Sequence, residues 1–303
     1  VQGATGLGTV TGAGTGTRDL SPCTRKKQSP RAFIAGVLAN IRQMALNHAK
    51  LFGGLVKMDY HKICGEIKNC DKGCFRDRYQ DYLHNGQQYS KNYFCSISPM
   101  ASVPLSPKVL LISQNPPLQA WINAGLNGEL PDGGLISGSN EFFVNNLLPA
   151  FGLDSSGIEL FRETVAWVHL VNCHPWLSVT TDGGGRESRQ DKTPTTNEIN
   201  NCIRSWLEPL LQIESMKLVV PMGKPALSLF FKLGDNNYTE IMKTVPFFND
   251  TLLPKKILFP IFHQSGRSKI FNDPKCLEAN EKAIALLDEA YEELTKEQRN
   301  KEK

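Results

Sequence analysis

Beyond residue 100 the apolar positions of this chain fall into short blocks separated by longer, periodically patterned stretches. Lys108–Ser113 (KVLLIS), Val165–Asn172, Met216–Pro221 (MKLVVP) and Lys256–Phe262 are apolar runs of strand length. Between and after them the spacing changes to that of helices. Glu141–Phe151, Asn197–Gln212 (with Thr195 or Thr196 as its cap) and Lys224–Leu233 are expected helices. A last helix is expected to open at Asp273-Pro274 and run to about Leu294, with the terminal KEQRNKEK frayed. Four short strands alternating with helices predict an α/β fold, in which a central four-stranded, mostly parallel sheet is flanked by helices on both faces.

Upstream the pattern is different. Residues 1–30 are Gly- and Thr-rich and too poor in apolar side chains to order themselves, so a disordered N-terminal tail is expected. Phe33, Ile34, Val37, Leu38, Ile41, Ala45 and Leu51 recur at helical spacing and predict an amphipathic helix. The expected organisation is a tail plus helix over residues 1–57, one domain over 58–297 and a frayed end over 298–303.

In a sheet of this kind the working site lies outside the carboxyl ends of the strands. Four segments fall there: Gln114-Asn115-Pro116, His169 to His174, Gly223-Lys224 and His263-Gln264-Ser265. Taken singly, each has a plain structural explanation as a turn or a backbone-bonded histidine.

Composition narrows the picture only a little. No apolar run approaches the roughly 20 residues of a membrane span. The net charge of +4 permits contact with a polyanion without demanding one. Eight cysteines in 303 residues are too sparse for a disulfide scaffold, and the N-terminus carries no secretory pattern. An intracellular, reducing compartment (cytoplasm or nucleoid) is therefore expected, where clustered cysteines suggest metal before disulfide. Cys70 and Cys74 are close neighbours, while Cys173 and Cys202 stand at the two ends of one long polar loop that passes through Asp182, Gly183, Gly184 and Gly185. Four such thiols suit an iron–sulfur cluster, a zinc ion or simple apolar burial, and their spacing does not choose among these. Cys64 is an alternative to Cys70 or Cys74, whereas Cys23, Cys95 and Cys276 read as ordinary cysteines.

One long stretch does choose. VHLVNCHP, then TPTTNEINNCIRSWLEPLLQIESMKLVVPMGKPALSLFF, resembles the iron–sulfur uracil-DNA glycosylases, the class known as families 4 and 5. LLISQNPP stands where that class has its first motif and LFPIFHQSGRSK where it has its His-Pro-Ser segment. The resemblance implies a uracil-DNA glycosylase-like fold carrying a [4Fe–4S] cluster on Cys70, Cys74, Cys173 and Cys202, with three residues between the first two cysteines where the class usually has two. It implies an enzyme of base excision repair, a monomer acting on DNA that contains a damaged base. In that reading His263 and Asn115 are catalytic, and Gln114, Ile136, His169 and Ser265 bind the base. Lys224, Arg267 and Lys269 contact DNA. Asn115 orients a water through its carbonyl, since an amide is too weakly basic to take a proton. Departures at Ile136, His169 and Gln264 from the class pattern extend the expected substrates to other deaminated bases such as hypoxanthine. They also leave a non-catalytic, DNA-binding member of the same fold as the alternative.

Overall fold

The computed structural model describes residues 59–97, 107–127, 143–154, 161, 164–231, 238, 242, 256–263 and 274–301. The expectations for residues 1–57 and for Ile136, Gln264, Ser265, Arg267 and Lys269 lie outside these.

The described chain opens with α1 (Tyr60–Lys68), capped by the Asp59 carboxylate, which accepts from the His61 N–H. Tyr60, Ile63, Cys64 and Ile67 are its buried residues, one stripe at i, i+3, i+4 and i+7. A hairpin follows, β1 (Tyr82–His84) against β2 (Gln87–Tyr89), turned by Asn85-Gly86 with φ of 50° and 78°. A two-residue turn that follows strand twist needs positive φ at both positions, which an Asn-Gly pair supplies. Next come α2 (Lys91–Ser96), β3 (Val109–Ser113) and α3 (Leu118–Asn127). A π turn, Phe143–Leu147, leads into α4 (Leu148–Ala150).

The second half contains β4 (Val165–His169), β5 (Leu177–Thr181), β6 (Glu187–Asp191) and α5 (Thr196–Cys202). A second π turn, Ile203–Leu207, runs into α6 (Glu208–Leu211). The chain then forms β7 (Leu218–Pro221), α7 (Gly223–Leu227), β8 (Ile257–Leu258) and α8 (Pro274–Lys301). Both π turns sit one turn before a proline, Pro149 and Pro209. A proline ring clashes with the carbonyl four residues back, here those of Asn145 and Ser205, and widening the turn relieves that clash.

The main sheet has the order β4-β3-β7-β8, all parallel. Leu110 and Ile112 of β3 pack with α1, α6 and α7, whereas Val109 and Leu111 pack with Phe151, Phe161 and α8. All four are completely buried, so both faces are covered, as the uninterrupted apolar run foretold. Two strands are shorter than their apolar runs. β4 stops at His169, whose N–H turns to the Asn172 side chain. The expected run from Lys256 to Phe262 yields only Ile257–Leu258 and an isolated bridge at Ile261: Ile257, Phe259 and Ile261 all donate to the neighbouring strand, but Pro221 of β7 has no N–H to give in return. α8 passes the expected end near Leu294 and reaches Lys301, with Glu278–Lys282 and Glu292–Lys296 pairs at i, i+4 spacing.

The expected polar loop after β4 is instead the antiparallel hairpin β5–β6, in register from Leu177↔Asp191 to Thr181↔Glu187. A third, aromatic-rich cluster joins residues 75–97 to the end of β4: Phe75, Tyr79, Tyr89, Phe94, Trp121, Val171 and Trp176.

Candidate active site

The chain leaves β3 for β4 on one side and returns to β7 on the other, so a crevice opens beyond the carboxyl ends of β3 and β7. The loop after β3 is stitched to the loop after β4, with Leu170 N–H bonded to Ser113 O (2.8 Å) and Val171 N–H to Gln114 O (3.2 Å). Asn115 is half-buried in this seam. Its Nδ2 donates to Pro116 O at 3.0 Å and to Asp191 Oδ2 at 3.3 Å. Both amide protons are thereby committed to protein acceptors, and the chemistry left to Asn115 is acceptance at Oδ1.

His169 is buried at the end of β4, and its Nδ1 lies 2.6 Å from Ser113 Oγ, which also accepts from Trp167 Nε1 at 2.9 Å. The arrangement that satisfies all three groups has Ser113 donate to Nδ1, so the ring proton sits on Nε2. Burial, and then the nearby His263, lower the His169 pKa to about 3, which makes it a neutral donor at physiological pH.

Two elements fix His263. Gly223 has φ +83°, and a Cβ built there would lie 2.9 Å from His263 Cβ. The turn after β7 therefore closes on His263 only because residue 223 is glycine. From the other side, buried Asn280 of α8 accepts from the Phe262 N–H at 3.1 Å and pins the residue before the histidine. His263 is exposed, yet crowding of its ring by protein atoms still lowers its pKa, so it too is neutral near pH 7. Lys224 follows Gly223 in the first turn of α7, on the same edge.

The four candidate thiols come together beside the aromatic cluster. Burial pushes the Cys173 thiol well above its ordinary value, and Cys202, Cys70 and Cys74 each push it further. Burial likewise raises Cys74, with Cys70 adding to it, and takes Cys202 up to about 11, with Cys74 and Cys70 adding to that. Opposing influences are present: the Asn172 N–H bonds to the Cys202 sulfur, and Lys72 and Arg76 bring positive charge. Lys72 also donates to Ser205 Oγ and lies over the Trp206 ring, tying the first cysteine pair to the helix of the last. Cys64 faces elsewhere, buried in the main core against Tyr60, which disposes of it as an alternative ligand to this group. Among the described residues no three His, Cys, Asp or Glu side chains are arranged to hold a metal ion, so the thiols are gathered without being drawn to coordinating distance.

A family model described as the uracil DNA glycosylase superfamily matches residues 100–294. The chain belongs to the uracil DNA glycosylase superfamily. No curated protein matches the chain. Members of the superfamily are mostly DNA glycosylases, hydrolases that serve base excision repair, and DNA is their common partner. In this superfamily member, Gln114, Asn115, His169, Lys224 and His263 share the carboxyl edge of the sheet.

Sequence reasoning missed the residues behind that edge. Asp191 meets both Asn115 and His174 at the end of the β5–β6 hairpin, which had been read as a loop. Alternation in Leu177–Thr181 and the turn residues Asp182 and Gly183–Gly185 were the signal for it. Asn280 carried no signal, since a lone polar residue in a helix reads as solvated.

Proposed function

We propose that this chain is a monomeric DNA glycosylase of a reducing intracellular compartment that flips uracil or a related deaminated base from DNA and hydrolyses its N-glycosidic bond. The observation that carries the reading is that His263, after β8, and Asn115, after β3, stand on one carboxyl edge of the sheet in a chain of this superfamily. Cleavage builds positive charge on the sugar and negative charge on the departing base. A neutral histidine near that edge can donate to the base oxygen as it becomes anionic, without protonating it beforehand. His263 fills this role, and the Nε2–H of His169 reads the base edge. Asn115 Oδ1 holds the attacking water, and Gln114, Ile136 and Ser265 complete the pocket. Lys224, Arg267 and Lys269 engage the phosphates.

The reading assigns a [4Fe–4S] cluster to Cys70, Cys74, Cys173 and Cys202, which lie near enough to influence one another, with the Asn172 N–H on the Cys202 sulfur and with Lys72 and Arg76 beside them. The resemblance of Cys173–Leu233 to the iron–sulfur class supports the cluster over zinc. Its contribution is structural, a cross-link between the segment from Cys70 and the ends of the hairpin loop, which couples folding to metal binding.

Single-turnover base release from oligonucleotides carrying uracil, hypoxanthine or an undamaged base tests the reading. Release of one damaged base, reduced at least about tenfold in both His263→Ala and Asn115→Ala (over ~1.4 kcal/mol of transition-state stabilisation), is the expected result. DNA binding without release of any base would instead favour the non-catalytic member of the fold.

A further inference from the structure

Asp191 stands at the end of β6, beside Asn115 of the first motif. Asp191 Oδ2 accepts from Asn115 Nδ2 at 3.3 Å, and its Oδ1 lies 3.2 Å from His174 Nε2. His174 is completely buried, and its Nδ1 accepts from the Trp176 N–H at 3.0 Å, so Nε2 carries the proton and donates to the carboxylate. Trp176 is itself held at φ 74°, a costly conformation for a bulky residue, inside the aromatic cluster. The hairpin is closed next to it by the Lys192 N–H to Trp176 O bond. A strained, well-packed turn thus aims a buried imidazole at Asp191, while the Asp191 side chain stays 45% exposed. That exposure lets water reach the carboxylate beside Asn115. Of the charged groups nearby on the same strand, Arg189 is turned to Glu187 and to the Tyr82 ring.

We infer that Asp191 is the general base of the proposed glycosylase, with Asn115 and His174 as its positioning residues. The inference rests on the glycosylase reading. The water, held by Asn115 Oδ1, gives its proton to the Asp191 carboxylate. The water oxygen bonds to the anomeric carbon as the carbon–nitrogen bond breaks, and that electron pair leaves with the base. His263 stabilises the resulting anion, which takes its proton from solvent. The same carboxylate charge faces the cationic sugar of the transition state.

The test is single-turnover base release across pH for wild type, D191N and D191E, with thermal melting and DNA affinity measured alongside. D191N is expected to lose about a hundredfold or more at neutral pH, the scale of a general base. Its melting temperature and DNA affinity stay close to wild type. The acidic limb of the wild-type profile, where rate falls as the carboxylate is protonated, disappears in D191N and persists in D191E. An acidic limb unchanged in D191N, or a loss that follows melting temperature or DNA affinity, overturns the assignment and leaves Asp191 as a clamp on the hairpin. Absence of base release by wild type overturns the glycosylase reading and this inference together, whereas an active wild type matched by D191N overturns the inference alone.

Discussion

Every side chain of β3 from Val109 to Ser113 is buried, and each apolar one lies on one of the two hydrophobic clusters that sandwich the sheet. The layer over the strand ends is built differently. There α2, the β1–β2 hairpin and the loop from Cys70 share an aromatic cluster with Trp176, and polar ties supplement it: Arg78 with Glu198, Lys72 with Ser205, and the Tyr79 hydroxyl donating to His174 O. The difference teaches where stability is intrinsic and where it is conditional. The sheet excludes water by area alone, at about 25 cal/mol per Å² of apolar surface. The layer brings four thiols together, and burial and mutual influence raise the pKa of at least three, so they keep their protons until, in the proposed function, a cluster takes the place of those protons.

The largest expected effect breaks the layer and spares the sheet. Cys202→Ala should abolish the absorbance near 400 nm of anaerobically prepared protein. Amide exchange over residues 70–97 should accelerate while that of β3 stays slow. A colourless wild type with those amides already protected would remove the distinction. Next in size is Gly223→Ala, which places a Cβ against His263 at a φ of +83°. It should cost roughly 2–3 kcal/mol in chemical denaturation and lower base release without changing the colour.

A pH titration sharpens the comparison within the site. The folded His169 pKa of about 3 lies below its ordinary 6.5, so the unfolded chain binds the proton first. Stability from this residue is complete above about 6.5 and is lost as pH falls toward about 3. His169→Gln should flatten that part of the stability profile relative to wild type. The smallest effect belongs to Thr195→Ala, which removes the cap of α5 and its reciprocal bond with Glu198. A loss of about 1 kcal/mol is expected, with colour and base release retained.

The sheet was legible because a strand covered on both faces must be apolar throughout, and four such runs stood out. The capping box at Thr195 and Glu198 was legible because its chemistry is local. The shorter β8 was harder to read, because its interruption comes from the neighbouring strand, where Pro221 has no N–H to give it. The aromatic layer was less legible. Its strands are three residues long, and its clearest signal was the Asn85-Gly86 turn. Within the site, His263 and Asn115 announced themselves by standing at strand ends. Asp191 did not, because its role depends on a register between β5 and β6 that places it opposite Leu177 and beside a loop 76 residues earlier.

Cys173 and Cys202 bracket the β5–β6 hairpin, so both ends of that excursion are anchored whatever lies between them. Extending such a loop costs little, about 0.6 kcal/mol for each doubling of length. The segment can therefore drift, lengthen or be exchanged as a cassette under weak selection for folding and strong selection for what its tip and its last strand residue do.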